Sequence, residues 1–302
     1  MENLRKVSTI TALYKKEQYL KTFLKELPQQ TYFPYLEIVV DHNEPKEEEL
    51  HLINEFKAKF PDHIKHIITN PVEPLGVSWN RCIFESTGDY LTTWNIDDLR
   101  TPDSIESHAR VLNENPDIDV VAGNYICVPS FPSKNGRYID ILKCSRRGII
   151  KHIVLGPFFM FRKNVCQKVG YFDEQFRCAN DVEFEMRLMF HCKTKILNKN
   201  TGYFLDEKTG LSTRPGSLCS IETTVFDFRY GLYGSLDYRY IPQALKYRIF
   251  DIKLGEDWIP IADIIPNYEA LLQERFDESL STGLLRHLGK TVIRKIRDMI
   301  NV

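Results

Sequence analysis

The sequence has no stretch of about 18 apolar residues, the length a helix needs to cross a bilayer. Its opening, MENLRKVSTITALYKKEQYL, holds no long apolar run of the kind a signal peptide carries. Both absences lead us to expect a cytoplasmic protein, free or peripheral on the inner face of a membrane. Neither sign of charge is in excess, with 40 basic and 41 acidic residues. Nucleic-acid binders usually show a basic footprint, so no nucleic-acid partner is expected. No two of the seven cysteines have CxxC spacing, and their number is odd. That argues against a zinc cluster and against a disulfide framework, and reduced thiols are expected. Internal repeats and low-complexity tracts are also lacking.

What is there suits a sizeable core. Of 302 residues, 43% are hydrophobic and 12% aromatic, which is enough for one large domain or two smaller ones. In the first half short apolar runs alternate with helical patterns. Val7–Leu13, Glu37–Val40, His66–Thr69 and Tyr90–Trp94 read as strands. Between them Gln18–Leu27, Glu47–Phe60 and Val77–Glu85 carry apolar residues three or four apart and read as helices. This order predicts βαβ units, and so an α/β protein with a mostly parallel central sheet flanked by helices. Ligands in such sheets bind at the carboxyl ends of the strands. Here those ends carry Tyr14, Asp41 and Asp97 with Asp98.

Further along, Ser104–Leu112 reads as a helix, Val120–Val128 and Gly156–Phe161 as strands, and Asp181–His191 as a helix. Ser130–Arg137 reads as a loop. After about Ser220 the pattern changes, so 221–302 is expected to be a mostly helical C-terminal extension. Its last part, Gly283–Val302, reads as a basic amphipathic helix with Leu285, Leu288, Val292, Ile296 and Met299 on one face. That stripe suits packing on the chain's own domain. Peripheral membrane contact or a homo-oligomer are the other uses it would serve.

Several segments, taken in order from about Lys6 to Ser220, resemble the inverting glycosyltransferases of family 2, which have the GT-A fold. VSTITALYKKEQYL is similar to that family's first strand, turn and helix, where a Pro-x-Tyr-Asn stretch lies against the donor base. Tyr14 matches, Ala12 stands in the Pro position and Lys15 in the Asn position. The strand ending in IVVDHNEP resembles one that normally closes on two aspartates; Asp41 matches the first, and His42 replaces the second. In LGVSWNRCIFESTGDYLTTWNIDD, Leu75, Gly76, Asn80, Gly88, Asp97 and Asp98 match, while Asn95 stands where the first Asp of an Asp-x-Asp motif is usual. In the acceptor-side segment Gly170, Phe172, Asp173, Glu174, Asp181 and Arg187 match, and Asn180 replaces the Glu of a Glu-Asp pair. Arg214 stands where a late loop often carries a His. The resemblance implies residues 1–220 as a GT-A domain, with 1–98 as the nucleotide-sugar half and 99–220 as the acceptor half.

The activity so implied is transfer of a sugar from a nucleotide-diphosphate donor, a UDP-sugar being favoured, to a hydroxyl acceptor. The acceptor would be a glycan, a lipid-linked molecule or another hydroxyl compound, in polysaccharide, glycan or glycolipid synthesis. A diphosphate leaving group builds negative charge, which a hard divalent cation on carboxylate oxygens neutralises. Asp97 and Asp98 are the expected ligands of manganese or magnesium, with neutral Asn95 beside them. The resemblance puts Ala12, Tyr14, Asp41, His42, Asn80, Asn95 and Asp97 on the nucleotide-sugar. Inversion needs one base to take the acceptor's proton, and Asp181 is the candidate. At a helix start it could instead cap the N–H groups of Glu183 or Phe184. Glu183 is a second choice for base, although an i,i+4 pair with Arg187 on the helix surface is its plainer role. Trp79 reads as core rather than as a platform for a sugar ring.

Two other functions compete. The neutral residues at His42, Asn95 and Asn180 fit a catalytically impaired, nucleotide-sugar-binding or scaffold protein on the same fold. A nucleotidyltransferase would want a Gly-rich loop after the first strand, where this chain has ALYKKEQYL.

Overall fold

The computed structural model describes residues 4–142, 155–207, 218–283, 285 and 288–300. Arg214 lies outside them.

Four strands, β1 (Val7–Leu13), β2 (Leu36–Asn43), β3 (Ile64–Thr69) and β4 (Tyr90–Thr93), pair in parallel in the order β3-β2-β1-β4. Helices α1 (Glu17–Glu26), α2 (Glu47–Lys59) and α3 (Leu75–Glu85) make the crossovers. The sheet continues through β8 (Met160–Arg162), β6 (Val120–Val128), β9 (Thr194–Leu205) and β5 (Leu99–Arg100), while β7 (Arg137–Ile139) pairs with β6. Of these, β8, β5 and β7 run antiparallel to their neighbours and β6–β9 is parallel. This is the expected α/β architecture with a mostly parallel sheet.

Both faces of the sheet are buried, and side-chain alternation divides them. Successive residues of a strand point to opposite faces. Thus Val39, Leu91 and Phe161 enter one apolar cluster, and their neighbours Ile38, Val40, Tyr90 and Met160 enter the other. The second cluster is closed by α1, α2 and α4 (Ser104–Glu114) through Leu20, Phe23, Ile53 and Ile105. The first is closed by α3, by α6 (Asn180–His191) and by the C-terminal residues; α5 (Cys166–Val169) lies beside them.

The C-terminal part shares that core. It comprises α7 (Leu218–Arg229), α8 (Ile241–Ala244), a hairpin of β10 (Asp251–Leu254) with β11 (Asp257–Pro260), α9 (Tyr268–Ser281) and α10 (Lys290–Ile300). Val225, Phe226, Phe228, Leu272, Phe276, Leu285, Ile296 and Ile300 belong to one cluster with the sheet residues. The extension is therefore helical with an unexpected hairpin. The apolar face of its last helix is covered by the protein's own core.

Three expectations change. Gly156–Phe161 is mostly irregular, and only its end joins β8, because a turn at Pro157 and Phe158 interrupts the extended run. The long strand β9 is absent from the sequence reading, since Lys195, Asn198, Lys199 and Asn200 blur its alternation. Its pairing with β6 is shifted twice around Asn124. The thiols are not all reduced: Cys178 and Cys219, with Cα atoms 5.3 Å apart, form a disulfide. They lie 41 residues apart in sequence, so only folding brings them together. Cys82, Cys127, Cys166 and Cys192 are free.

Candidate active site

The residues expected to act collect at the carboxyl pole of the parallel strands. After β1 the chain turns sharply, with Lys15 at φ 50°, and the half-exposed Tyr14 carries the Lys15 ammonium over its ring at 4.6 Å. Ala12 is packed against the core just before it. After β4 a tight turn closes with the Asp98 N–H donating to the Asn95 carbonyl at 3.1 Å.

That turn separates its two aspartates. Asp98 is buried; its Oδ1 accepts from the Leu205 N–H at 3.0 Å and its Oδ2 from Asn95 Nδ2 at 3.3 Å. Burial, with the neighbouring Asp97 adding to it, pushes its carboxyl up to about 8. Asp97 keeps 30% of its side chain exposed, and its Oδ2 accepts from Lys16 Nζ at 2.6 Å. No described residue hydrogen-bonds its Oδ1. Among the described residues no group of three or more His, Cys, Asp or Glu side chains could hold an ion. The oxygen chemistry still fits a hard divalent cation, provided donor oxygens and water complete the shell.

The turn rests on Arg100, which the sequence reading passed over. It is fully buried and donates to Thr92 Oγ1 at 2.6 Å, the Thr93 carbonyl at 2.7 Å and Ser104 Oγ at 3.0 Å. Burial pulls its guanidinium down to about 9. Trp94, below it, donates from Nε1 to the Asp98 carbonyl at 3.1 Å. An Arg two residues past an acidic turn was the available signal.

The pole also holds the start of α6. A Cβ on Gly76, at the start of α3, would lie 3.0 Å from Asn180 Nδ2, so the two helix starts touch. Asp181 is the second residue of α6 and is half-buried. Among the described residues its Oδ1 accepts only from the adjacent Val182 N–H, at 2.8 Å, and not from Glu183 or Phe184. Burial pushes its carboxyl up to about 6. Asn180 is fully buried, and its Oδ1 accepts from the Asp181 N–H at 3.1 Å. The loop before α6 is gathered by Glu222, whose carboxylate accepts from the N–H groups of Arg177, Cys178 and Ala179 at 2.9, 2.7 and 3.0 Å.

Other expected residues are engaged elsewhere. Asp41 is buried, with Oδ1 bonded to Thr69 Oγ1 and Oδ2 to Arg81, both at 2.7 Å. His42 is buried inside β2 and uses both ring nitrogens, toward His66 at 3.1 Å and Glu49 at 3.2 Å. Burial lowers both histidines, His66 to about 4, so the pair is neutral. Asn80 ties α3 to the following segment: it donates to the Phe172 carbonyl and accepts from the Phe172 N–H, both at 2.9 Å. The structure therefore does not bring His42 or Asn80 to the pole as free groups. Trp79 is core, packed on Phe172 at 4.9 Å. Glu183 does pair with Arg187, but in the core rather than on the helix surface, and it is closed to an acceptor. Two hollows, of about 620 and 440 Å³, share Arg5, Tyr90 and Arg162 and lie at the opposite pole.

Similarity to known proteins agrees with this geometry. Residues 8–170 match the model of "Glycosyl transferase family 2". An uncharacterized glycosyltransferase of Methanocaldococcus jannaschii is 24% identical over 212 residues, 64% of this chain and 72% of that protein. The crystal structure of S. aureus TarS 1–349 in complex with UDP-GlcNAc superposes with a TM-score of 0.63 at 17% identity, over 95% of this chain and 77% of that one. Of a longer TarS chain only 42% is covered. The mannosyltransferase PcManGT from Pyrobaculum calidifontis, in complex with GDP-Man and Mn2+, gives 0.52 at 14% identity, over 98% and 84%. The fold is that of GT-A glycosyltransferases, and the chain belongs to glycosyl transferase family 2.

Proposed function

We propose that this glycosyltransferase is inverting, takes a UDP-sugar as donor and uses Asp97 and Asp181 on the two sides of the reacting sugar. One observation carries this reading. At the carboxyl pole, Asp97 alone of the acidic turn is exposed with an oxygen to spare, and Asp181 stands at a helix start with a carboxyl raised to about 6.

Tyr14 offers an exposed ring against which a base can lie. Asp41 contributes through Arg81, which it holds, rather than by a free carboxylate. A divalent cation, when bound, supplies charge neutralisation to the departing diphosphate. Asp97 would hold it, and Asp98 shapes the turn that aims Asp97. Asp181 takes the proton from the acceptor hydroxyl as that oxygen attacks the anomeric carbon. Its raised carboxyl makes it a better proton acceptor than an ordinary aspartate, and it is still ionised at neutral pH.

The acceptor is a hydroxyl compound: a glycan, a lipid-linked molecule or another hydroxyl-bearing molecule. No helix of the described residues is long and apolar enough to cross a membrane. The scaffold reading keeps one observation in its favour, the neutral Asn95 and Asn180.

A thermal-shift screen of UDP- and GDP-sugars, with and without manganese, followed by NMR of the product's anomeric configuration, tests the proposal. A stabilising UDP-sugar and an inverted product are expected. Asp97→Asn should lower transfer by about 100-fold, the loss of several kcal/mol of charge stabilisation. A retained configuration would sink the base assignment; no response to any nucleotide sugar would favour the scaffold.

A further inference from the structure

Among the described residues Lys16 is the cation that ion-pairs with the acidic turn, and the fold builds its position. It precedes α1, and its carbonyl accepts from the Tyr19 and Leu20 N–H groups at 2.9 and 3.0 Å. Its own N–H donates to Glu49 Oε1 at 3.1 Å. Glu49 is buried and also bonds the Lys46 N–H and His42, so this anchor is rigid. The side chain then runs over the Tyr19 ring, with Nζ 5.2 Å from its centre, to reach Asp97 Oδ2 at 2.6 Å. Tyr19 is itself held by Glu207 through its hydroxyl at 2.5 Å.

The charges around the turn make this placement consequential. Asn95 brings no charge, and Asp98 is buried with both oxygens bonded. Asp97 is thus the one exposed carboxylate of the turn, and a lysine already neutralises it. A lysine ammonium has three donors and no acceptor. With one spent on Asp97 it has others for phosphate oxygens, which lysine binds as a point charge.

We infer that Lys16 is a built-in cation of the diphosphate site, shared between Asp97 and the donor's diphosphate, so that nucleotide binding needs no divalent ion and a divalent ion must compete with Lys16 for Asp97. The inference rests on the reading of this pole as the donor site. It assigns Lys16 a binding role and gives Tyr19 and Glu49 the task of holding it.

Calorimetry of UDP and GDP in chelator and in manganese, on the wild type, Lys16→Met and Lys16→Arg, tests it. The wild type should bind UDP or GDP in chelator. Lys16→Met should weaken that binding by about 10- to 100-fold, the worth of one charge-assisted hydrogen bond. Lys16→Arg should keep most of it. Electron paramagnetic resonance of free manganese should show Lys16→Met binding the ion alone about tenfold tighter than wild type. Wild-type binding that appears only with manganese, or a Lys16→Met variant that folds and behaves as wild type in both measurements, overturns the role of Lys16 while leaving the donor site standing. Failure of the wild type to bind either nucleotide in any buffer overturns the donor-site reading and the inference with it.

Discussion

The Glu183 carboxylate and the Arg187 guanidinium meet at 2.6 Å, one helical turn apart, with neither side chain exposed. Arg229 reaches the same carboxylate at 3.0 Å and Asp173 at 2.9 Å, and the Tyr230 hydroxyl donates to Glu183 at 2.9 Å. Through this cluster the C-terminal helix α7 is bolted to α6.

Removing Arg187 would leave two buried carboxylates, Glu183 and Asp173, sharing the single guanidinium of Arg229. Arg187→Met should destabilise the fold by about 3–5 kcal/mol, read from the urea midpoint. Burial pushes the Glu183 carboxyl up, but the Arg187 and Arg229 guanidiniums outweigh it and hold the carboxyl below the usual range. A lowered folded value means stability present at neutral pH and lost as pH falls through that value. Acid unfolding of the wild type should therefore be steep below the ordinary glutamate range, and shallower in the variant.

The role proposed for Asp181 as base predicts a pH dependence of the activity. A base works ionised, and burial has raised its carboxyl to about 6. Turnover should be level above that point and fall about tenfold per pH unit below it. Asp181→Asn should lose about 100- to 10,000-fold in turnover, the usual worth of a general base, while nucleotide binding by calorimetry stays unchanged. Full turnover in that variant would remove Asp181 from the chemistry.

Glu222 positions the start of α6. It collects three amide N–H groups from Arg177 to Ala179, two residues before Asp181. Glu222→Ala should leave them unsatisfied at about 1–3 kcal/mol each where water cannot replace the carboxylate. The expected kinetic result is a lower kcat with the donor KM unchanged, and Glu222→Gln should recover part of the kcat. A change confined to KM would point to a different role.

The Cys178–Cys219 disulfide ties that same loop to α7. Reduction should lower stability by about 2–4 kcal/mol, visible as a lower melting temperature in dithiothreitol. The Cys178→Ser, Cys219→Ser double variant should melt at the reduced temperature whether or not the reductant is present.

Sequence pattern alone determined the elements whose periodicity is clean. Val7–Leu13 and Val120–Val128 are strands to the residue, and α1, α2, α3 and α6 lie within two residues of their expected starts. Apolar alternation and spacing carry that information locally, because each residue's face follows from its neighbours in sequence. The strand ends likewise put Tyr14, Asp41, Asp97 and Asp98 among the residues to watch, and the family resemblance added Asp181. Tertiary structure decided which polar groups are free. Asp97 and Asp98 are adjacent and chemically identical, yet Leu205, from a distant strand, closes one and Lys16 meets the other. Spacing pairs Glu183 with Arg187 on a helix face, but only Arg229 and Tyr230, packed onto it from 46 and 47 residues away, bury that pair. Asp41, His42 and Asn80 are spoken for by Arg81, Glu49 and Phe172. Burial and long-range hydrogen bonds set these outcomes, and neither is written in the local sequence.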